Sequence, residues 1–169
     1  GIRGILDHNL YLSAYASPGH FNDMDMMQIG RLKEDGSMLF TEEEEKSHFG
    51  LWSIMCSPLM IGSDLRTLPE STRKIITNQS IIALNQDVLG LQAQVVSRDG
   101  KRYVLAKQIE EANGKIRAVA LFNCEADART MRINFSDIQL GGKVTVTDLW
   151  KEEIVGEFAD YYEVTVPSH

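Results

Sequence analysis

Cysteine is scarce in this chain. Cys56 and Cys124 stand far apart and outside any CxxC arrangement. That rules out a disulfide framework and speaks against a zinc site, leaving two free, packed thiols as the favoured reading. Long hydrophobic runs are also missing, and no stretch reaches the roughly 20 apolar residues that cross a bilayer, so no membrane partner is expected. Positive charge is in deficit, with 17 Lys and Arg against 24 Asp and Glu, a net charge of −7. An acidic chain is a poor match for a phosphate backbone, which argues against nucleic acid but not against a neutral sugar. The opening GIRGILDHNLYL holds neither an initiator Met nor a basic segment ahead of an apolar one, and reads like the middle of a helix. The expectation is that the sequence starts at an arbitrary cut.

What is present divides in two. With 43 % apolar residues in 169, there is material for one ordinary domain or two small ones. Ile2, Ile5, Leu6 and Leu10 have helical spacing, and SPGH (17–20) signals a turn. Phe21 to Met26 reads as a short strand. Thr41 with Glu44 forms a capping-box pattern, Glu42 to Glu45 favour a helix start, and Phe49, Trp52, Met55 and Cys56 continue as an apolar stripe that Pro58 should end. LMIGSD (59–64) resembles a buried parallel strand, and residues 70–78 and 81–84 are helical. The order is that of two βα units. Two such units cannot close a sheet, so earlier ones are expected outside this sequence.

After NQDVLG (85–90) the pattern changes. Val95-Val96 precede Asp99-Gly100, a hairpin signal, and RYVLAKQI follows. Asn113-Gly114 marks another turn. KIRAVALFNC, RTMRINFSDI, KVTVTDLW and YYEVTV then read as strands, the pattern of an antiparallel sandwich. The expected division is residues 1–90 as α/β and 91–169 as all-β, with the boundary near 90–94.

The stretch HFNDMDMMQIG (20–30) sets two carboxylates, Asp23 and Asp25, among apolar residues. In a strand they would share one face. A calcium loop fails the ligand pattern, with Met at position 27. A DxD metal site lacks further ligands nearby. Capping or acceptance of backbone N–H groups is the bland reading. A sugar site is the sharp one, because a carboxylate at the C-terminal end of a barrel strand can accept bonds from adjacent hydroxyls.

Three motifs in order narrow the choice. SPGHFNDMDMMQIG resembles the G-P-G-G-W-N-D-P-D-M-L-x-x-G of glycoside hydrolase family 27; HFGLWSIMCSPLMIGSDLR (48–66) and IIALNQDVLG (81–90) are similar to that family's H-F-x-L-W and A-L-N-Q-D-P-L-G segments. The resemblance implies the last two βα units of a (β/α)8 barrel followed by a C-terminal antiparallel β-sandwich. It implies a retaining α-galactosidase or relative, with α-N-acetylgalactosaminides or β-L-arabinopyranosides as alternative substrates. By the same resemblance Asp25 and Met26 bind the −1 sugar, while Asn22 and Asp23 support them. The nucleophile and acid/base, from the fourth and sixth strands, would lie upstream, so no catalytic residue is expected here. Neither metal nor cofactor is implied. The implied partner is a galactose-containing oligosaccharide or glycoside, and a homo-oligomer stays open. Extracellular, periplasmic or lysosomal settings fit such enzymes better than the cytoplasm, although this sequence carries no address.

The sequence departs from the pattern at His20, Phe21 and Met24, where the family has Gly, Trp and Pro, and in a longer 30–40 connection. Phe49 and Trp52 read as core at helical spacing, and His48 as a packed imidazole. Tyr161 and Tyr162 point to opposite faces of a strand, so they cannot form one platform. A non-catalytic carbohydrate-binding or structural sandwich is the reading from another class.

Overall fold

The computed structural model describes residues 1–111 and 114–168. Helix α1 (Ile2–Asn9) is followed by a 3-10 turn at Ser13–Tyr15. Ser17 and His20 exchange backbone bonds of 2.9 and 2.8 Å around Pro18-Gly19, with Gly19 at φ +82. This is the turn that SPGH announces.

Helix α2 (Glu42–Ile54) starts at the expected capping box: the Glu44 N–H donates to Thr41 Oγ1 (3.3 Å) and the Thr41 N–H donates to Glu44 Oε2 (2.8 Å). It ends earlier than Pro58. Cys56 turns left-handed (φ +57), the Ser57 N–H donates to Trp52 O at 3.0 Å, and the Cys56 N–H donates to Ser53 O at 3.2 Å. These are the two bonds of a Schellman ending, with Cys where Gly is commoner. Helices α3 (Glu70–Ile76) and α4 (Gln79–Asn85) follow, the second capped by Asn78, whose side chain accepts the Ile81 N–H at 2.9 Å.

The two expected strands of this half need correction. Residues 21–26 form no strand, because Asp25 sits at φ +69 and its N–H bonds Asp23 locally. Residues 59–64 form no buried strand either; Met60 is 64 % exposed. What remains is one parallel bridge, Met27 to Ile61, closed by the Met27 N–H on Met60 O (2.7 Å) and the Gly62 N–H on Met27 O (2.8 Å). The parallel relationship is right, and its extent is one residue pair.

The second half is antiparallel throughout. Strands β1 (Gln94–Asp99), β2 (Arg102–Gln108) and β3 (Arg117–Asn123) form one sheet; β4 (Arg129–Asn134) pairs with β7 (Tyr161–Val166), and β5 (Lys143–Asp148) with β6 (Glu153–Ala159). Only the first part of RTMRINFSDI is strand; Phe135–Ile138 is a 3-10 turn. Of the expected Asn113-Gly114 turn, Asn113 lies outside the described residues.

Alternation along β2 joins the halves. Tyr103 and Leu105 pack into one core with Leu6, Phe49, Trp52 and Ile54, whereas Val104 and Ala106 face Met131, Ile133 and Ile138. Fully burying one such large apolar side chain stabilises by about 1.5–3 kcal/mol. Lys107 is buried and its Nζ donates to Leu84 O at 2.8 Å; burial lowers its pKa. Gly50, in the middle of α2, faces the ring of Trp150 from the turn between β5 and β6; a Cβ there would lie 3.3 Å from Trp150 Cζ2. Cys56 is a buried free thiol and Cys124 a half-buried one.

Candidate functional site

The loop from Asn22 to Gly30 alternates between burial and exposure. Met24, Met27 and Ile29 are buried, at 1 %, 0 % and 0 % exposure, while Asp23, Asp25 and Met26 face outward. The buried methionines anchor the loop, and the exposed residues between them are presented rather than packed.

Asp25 is the strained member. Left-handed backbone at a non-glycine residue costs about 1–2 kcal/mol, so the surroundings must hold it. Its N–H donates to Asp23 Oδ1 (2.8 Å), and its carbonyl accepts the indole Nε1–H of Trp52 (2.8 Å). Its own Oδ1 accepts the Met26 N–H at 2.7 Å. No side chain binds the Asp25 carboxylate among the described residues. A carboxylate fixed at its backbone and open at its tip can accept hydroxyls from a ligand.

Met26 lies over Gly62. A Cβ at Gly62 would come within 2.6 Å of Met26 Sδ and 3.2 Å of Met27 O, so a side chain there would move Met26. The neighbouring Ser63 Oγ is buried with no partner among the described residues. Asp64, by contrast, is occupied: Arg66 binds both its oxygens at 2.9 and 2.7 Å, and these bonds hold its carboxyl below the ordinary carboxylate range.

Asn22 and Asp23 hold the loop in different ways. Asn22 Nδ2 donates to Leu12 O (2.8 Å) and to Gln92 Oε1 (2.7 Å), and Gln92 Nε2 donates to Asn9 O (2.7 Å). The loop is thereby tied to α1 and to the segment before β1. Met24 N–H donates to Ser57 Oγ at 2.9 Å, and the buried Glu45 accepts from Gly30 N–H and Thr72 Oγ1, each at 2.7 Å. Sequence reasoning passed over Trp52, Ser57, Glu45 and Gly62 as members of this scaffold. Trp52 is core, at 0 % exposure, and it is also a donor to the site. No local signal marks such a bond, because its ends lie 27 residues apart.

His48 stacks edge-on against Trp52 with ring centroids 4.2 Å apart. Both ring nitrogens are buried without partners among the described residues, and burial pushes its pKa down to about 4. It is a neutral packed imidazole near pH 7. Among the described residues no group of three or more His, Cys, Asp and Glu gathers as a metal site. No described helix is long and apolar enough to cross a membrane. A cavity of about 340 Å³, bordered by Pro18, Phe21, Ser57, Asn85 and Asp87, includes none of Asp23, Asp25 and Met26 in its lining.

The whole chain resembles known proteins. Residues 3–87 match the family model described as alpha galactosidase A, and residues 99–169 match the alpha galactosidase C-terminal beta sandwich domain. Alpha-galactosidase A of Cellvibrio japonicus (strain Ueda107) is 42 % identical over 136 residues, covering 80 % of this chain and 31 % of that protein. An alpha-galactosidase of Oryza sativa subsp. japonica is 39 % identical over 146 residues, covering 85 % of this chain and 33 % of that protein. The crystal structure of alpha-galactosidase I from Mortierella vinacea superposes with a TM-score of 0.88 at 28 % identity, covering 100 % of this chain and 42 % of that one. The chain thus spans 31–33 % of the length of these two curated relatives. In this light the helices and the parallel bridge are the tail of a barrel, and the strands are the sandwich that follows it, as the motifs implied.

Proposed function

We propose a function from one premise: this chain belongs to the alpha-galactosidase family. The full-length protein removes terminal α-linked galactose from oligosaccharides or glycoconjugates by retaining hydrolysis. In such a reaction one carboxylate attacks the anomeric carbon while a second acts as acid and then base. Both come from outside these residues. Asp25 accepts hydroxyl bonds from the −1 sugar and Met26 packs beside it, with Asn22 and Asp23 holding the loop.

One observation carries this reading. Asp25 is an exposed carboxylate on a left-handed backbone, secured on both sides by other residues. Strain of this kind persists where the surroundings over-determine it, and it clusters at ligand sites. Asp23 has an oxygen committed to the Asp25 N–H, which suits a supporting role.

The reading as a carbohydrate-binding sandwich has less support. It needs a row of exposed aromatics on residues 91–169. Tyr103, Phe122 and Phe135 are buried, and Tyr161, at 42 % exposure, is covered by the Arg132 guanidinium 3.9 Å from its ring centroid.

The test is Asp25→Asn in the full-length protein on an aryl α-galactoside. The amide keeps the size and loses the charge. The expected result is a fall in kcat/KM of about a hundredfold, roughly 3 kcal/mol. Parental kcat/KM in the variant would remove Asp25 from the sugar site. An inactive parent, assayed next on α-N-acetylgalactosaminide and β-L-arabinopyranoside, would change the substrate.

A further inference from the structure

We propose that Trp52 is a positioning residue for Asp25, acting through its indole N–H. The proposal rests on the assignment of Asp25 to the sugar. Trp52 is fully buried in α2, between the shared core and the ring of His48. A buried indole N–H must find an acceptor. The one it takes, at 2.8 Å, is the carbonyl of the left-handed Asp25. The N–H of the same residue is held by Asp23 at 2.8 Å.

These two bonds grip one residue on either side of its Cα. Glycine would adopt this conformation unaided, but it has no carboxylate. An aspartate that must be left-handed needs an outside hold, and α2 supplies it through a rigid ring packed into the core. The direction of the Asp25 carboxylate follows from that grip. Loss of the indole donor frees Asp25 to sample extended backbone, where its carboxylate points elsewhere. The cost falls on sugar binding in ground and transition states alike, so KM rises while kcat holds.

Two variants of the full-length protein test this. Trp52→Phe removes the N–H and part of the ring. Replacement of Trp52 by benzothienylalanine, a ring of the same shape with sulfur in place of N–H, removes the donor without opening a cavity. In either variant KM for the aryl α-galactoside is expected to rise about tenfold with kcat little changed, the loss of one hydrogen bond's worth of binding. In an Asp25→Asn background neither replacement should raise KM further. A purely packing role predicts the reverse split: less folded enzyme, hence lower kcat per mole, with KM unchanged. That result, or a crystal structure of the benzothienyl variant with Asp25 still left-handed, overturns the proposal. If Asp25→Asn alone leaves kcat/KM at the parental value, the sugar assignment has failed instead, and the crystal structure by itself then decides whether Trp52 holds Asp25.

Discussion

Residues 20–64 and residues 94–166 are held in place by opposite means. In the second stretch, backbone pairs with backbone over long registers, such as the seven pairs from Arg102–Asn123 to Gln108–Arg117. In the first, outside α2 and the local turns, backbone pairing shrinks to the single-pair bridges Met27–Ile61 and Leu32–Met38, and side chains tie the 22–30 loop to its surroundings: Asn22 on Leu12 O, Ser57 on Met24 N–H, Glu45 on Gly30 N–H, Trp52 on Asp25 O. A ladder tolerates exchange of its side chains because its bonds belong to the backbone. A loop held by side chains depends on each of them. The region that presents the candidate site is therefore the one in which single residues should matter most.

The sharpest contrast is expected at Glu45, which is 1 % exposed and satisfies two donors. Glu45→Ala leaves both buried and unpaired, and should lower unfolding stability by about 3 kcal/mol in denaturant titrations. A loss under 1 kcal/mol would mean that the loop does not depend on this side chain.

Next comes His48. Its folded pKa of about 4 lies below the ordinary 6.5, so the unfolded chain binds the extra proton between those values. Stability is then full above pH 6.5, falls as pH drops through that window, and flattens below about 4. At pH 5 the deficit attributable to His48 is about 2 kcal/mol. His48→Phe should remove this part of the pH dependence in thermal melts across pH 4 to 8. An unchanged slope would locate the acid sensitivity elsewhere.

Gly62→Ala is a smaller and more selective test. It displaces Met26, so kcat/KM on the aryl galactoside should drop about fivefold, roughly 1 kcal/mol, with little change in Tm. Equal activity would show that the position of Met26 is immaterial. Smallest of all is Arg132→Ala in the sandwich, where a half-exposed pair with Glu163 at 3.0 Å bridges β4 and β7. The expected change is about 0.5 kcal/mol in stability and none in activity. A clear loss of activity there would break the distinction between the two regions.

The same distinction governs how much the sequence disclosed. Alternation and turn residues placed most of the strands, because a ladder imposes a period of two on its side chains. Strand β6 escaped notice: it is exposed at most positions and contains Gly156 at φ +152, so its pattern is weak. The capping box of α2 was legible because its members are three residues apart. Family motifs pointed to Asp25 and Met26, and the structure finds both exposed. The backbone of Asp25 was misjudged as extended, since alternating residue types say nothing of a left-handed residue whose carbonyl accepts from Trp52, 27 residues away. Trp52 shows the limit most plainly. Its spacing correctly marked it as core, and the same ring also makes a bond that spacing cannot reveal.

The notch at Gly50 carries a consequence for ancestry. The ring of Trp150 fills it from the sandwich, against the same helix that bears Trp52 two residues on. A genetic exchange between residues 87 and 99, where the two matched regions part, would bring an unfamiliar turn to that notch and leave α2 without its backing. The seam between the two family models lies across a shared core. Lineages should accordingly inherit the barrel tail and its sandwich together, and substitutions at position 50 and at position 150 should travel through descent as a pair.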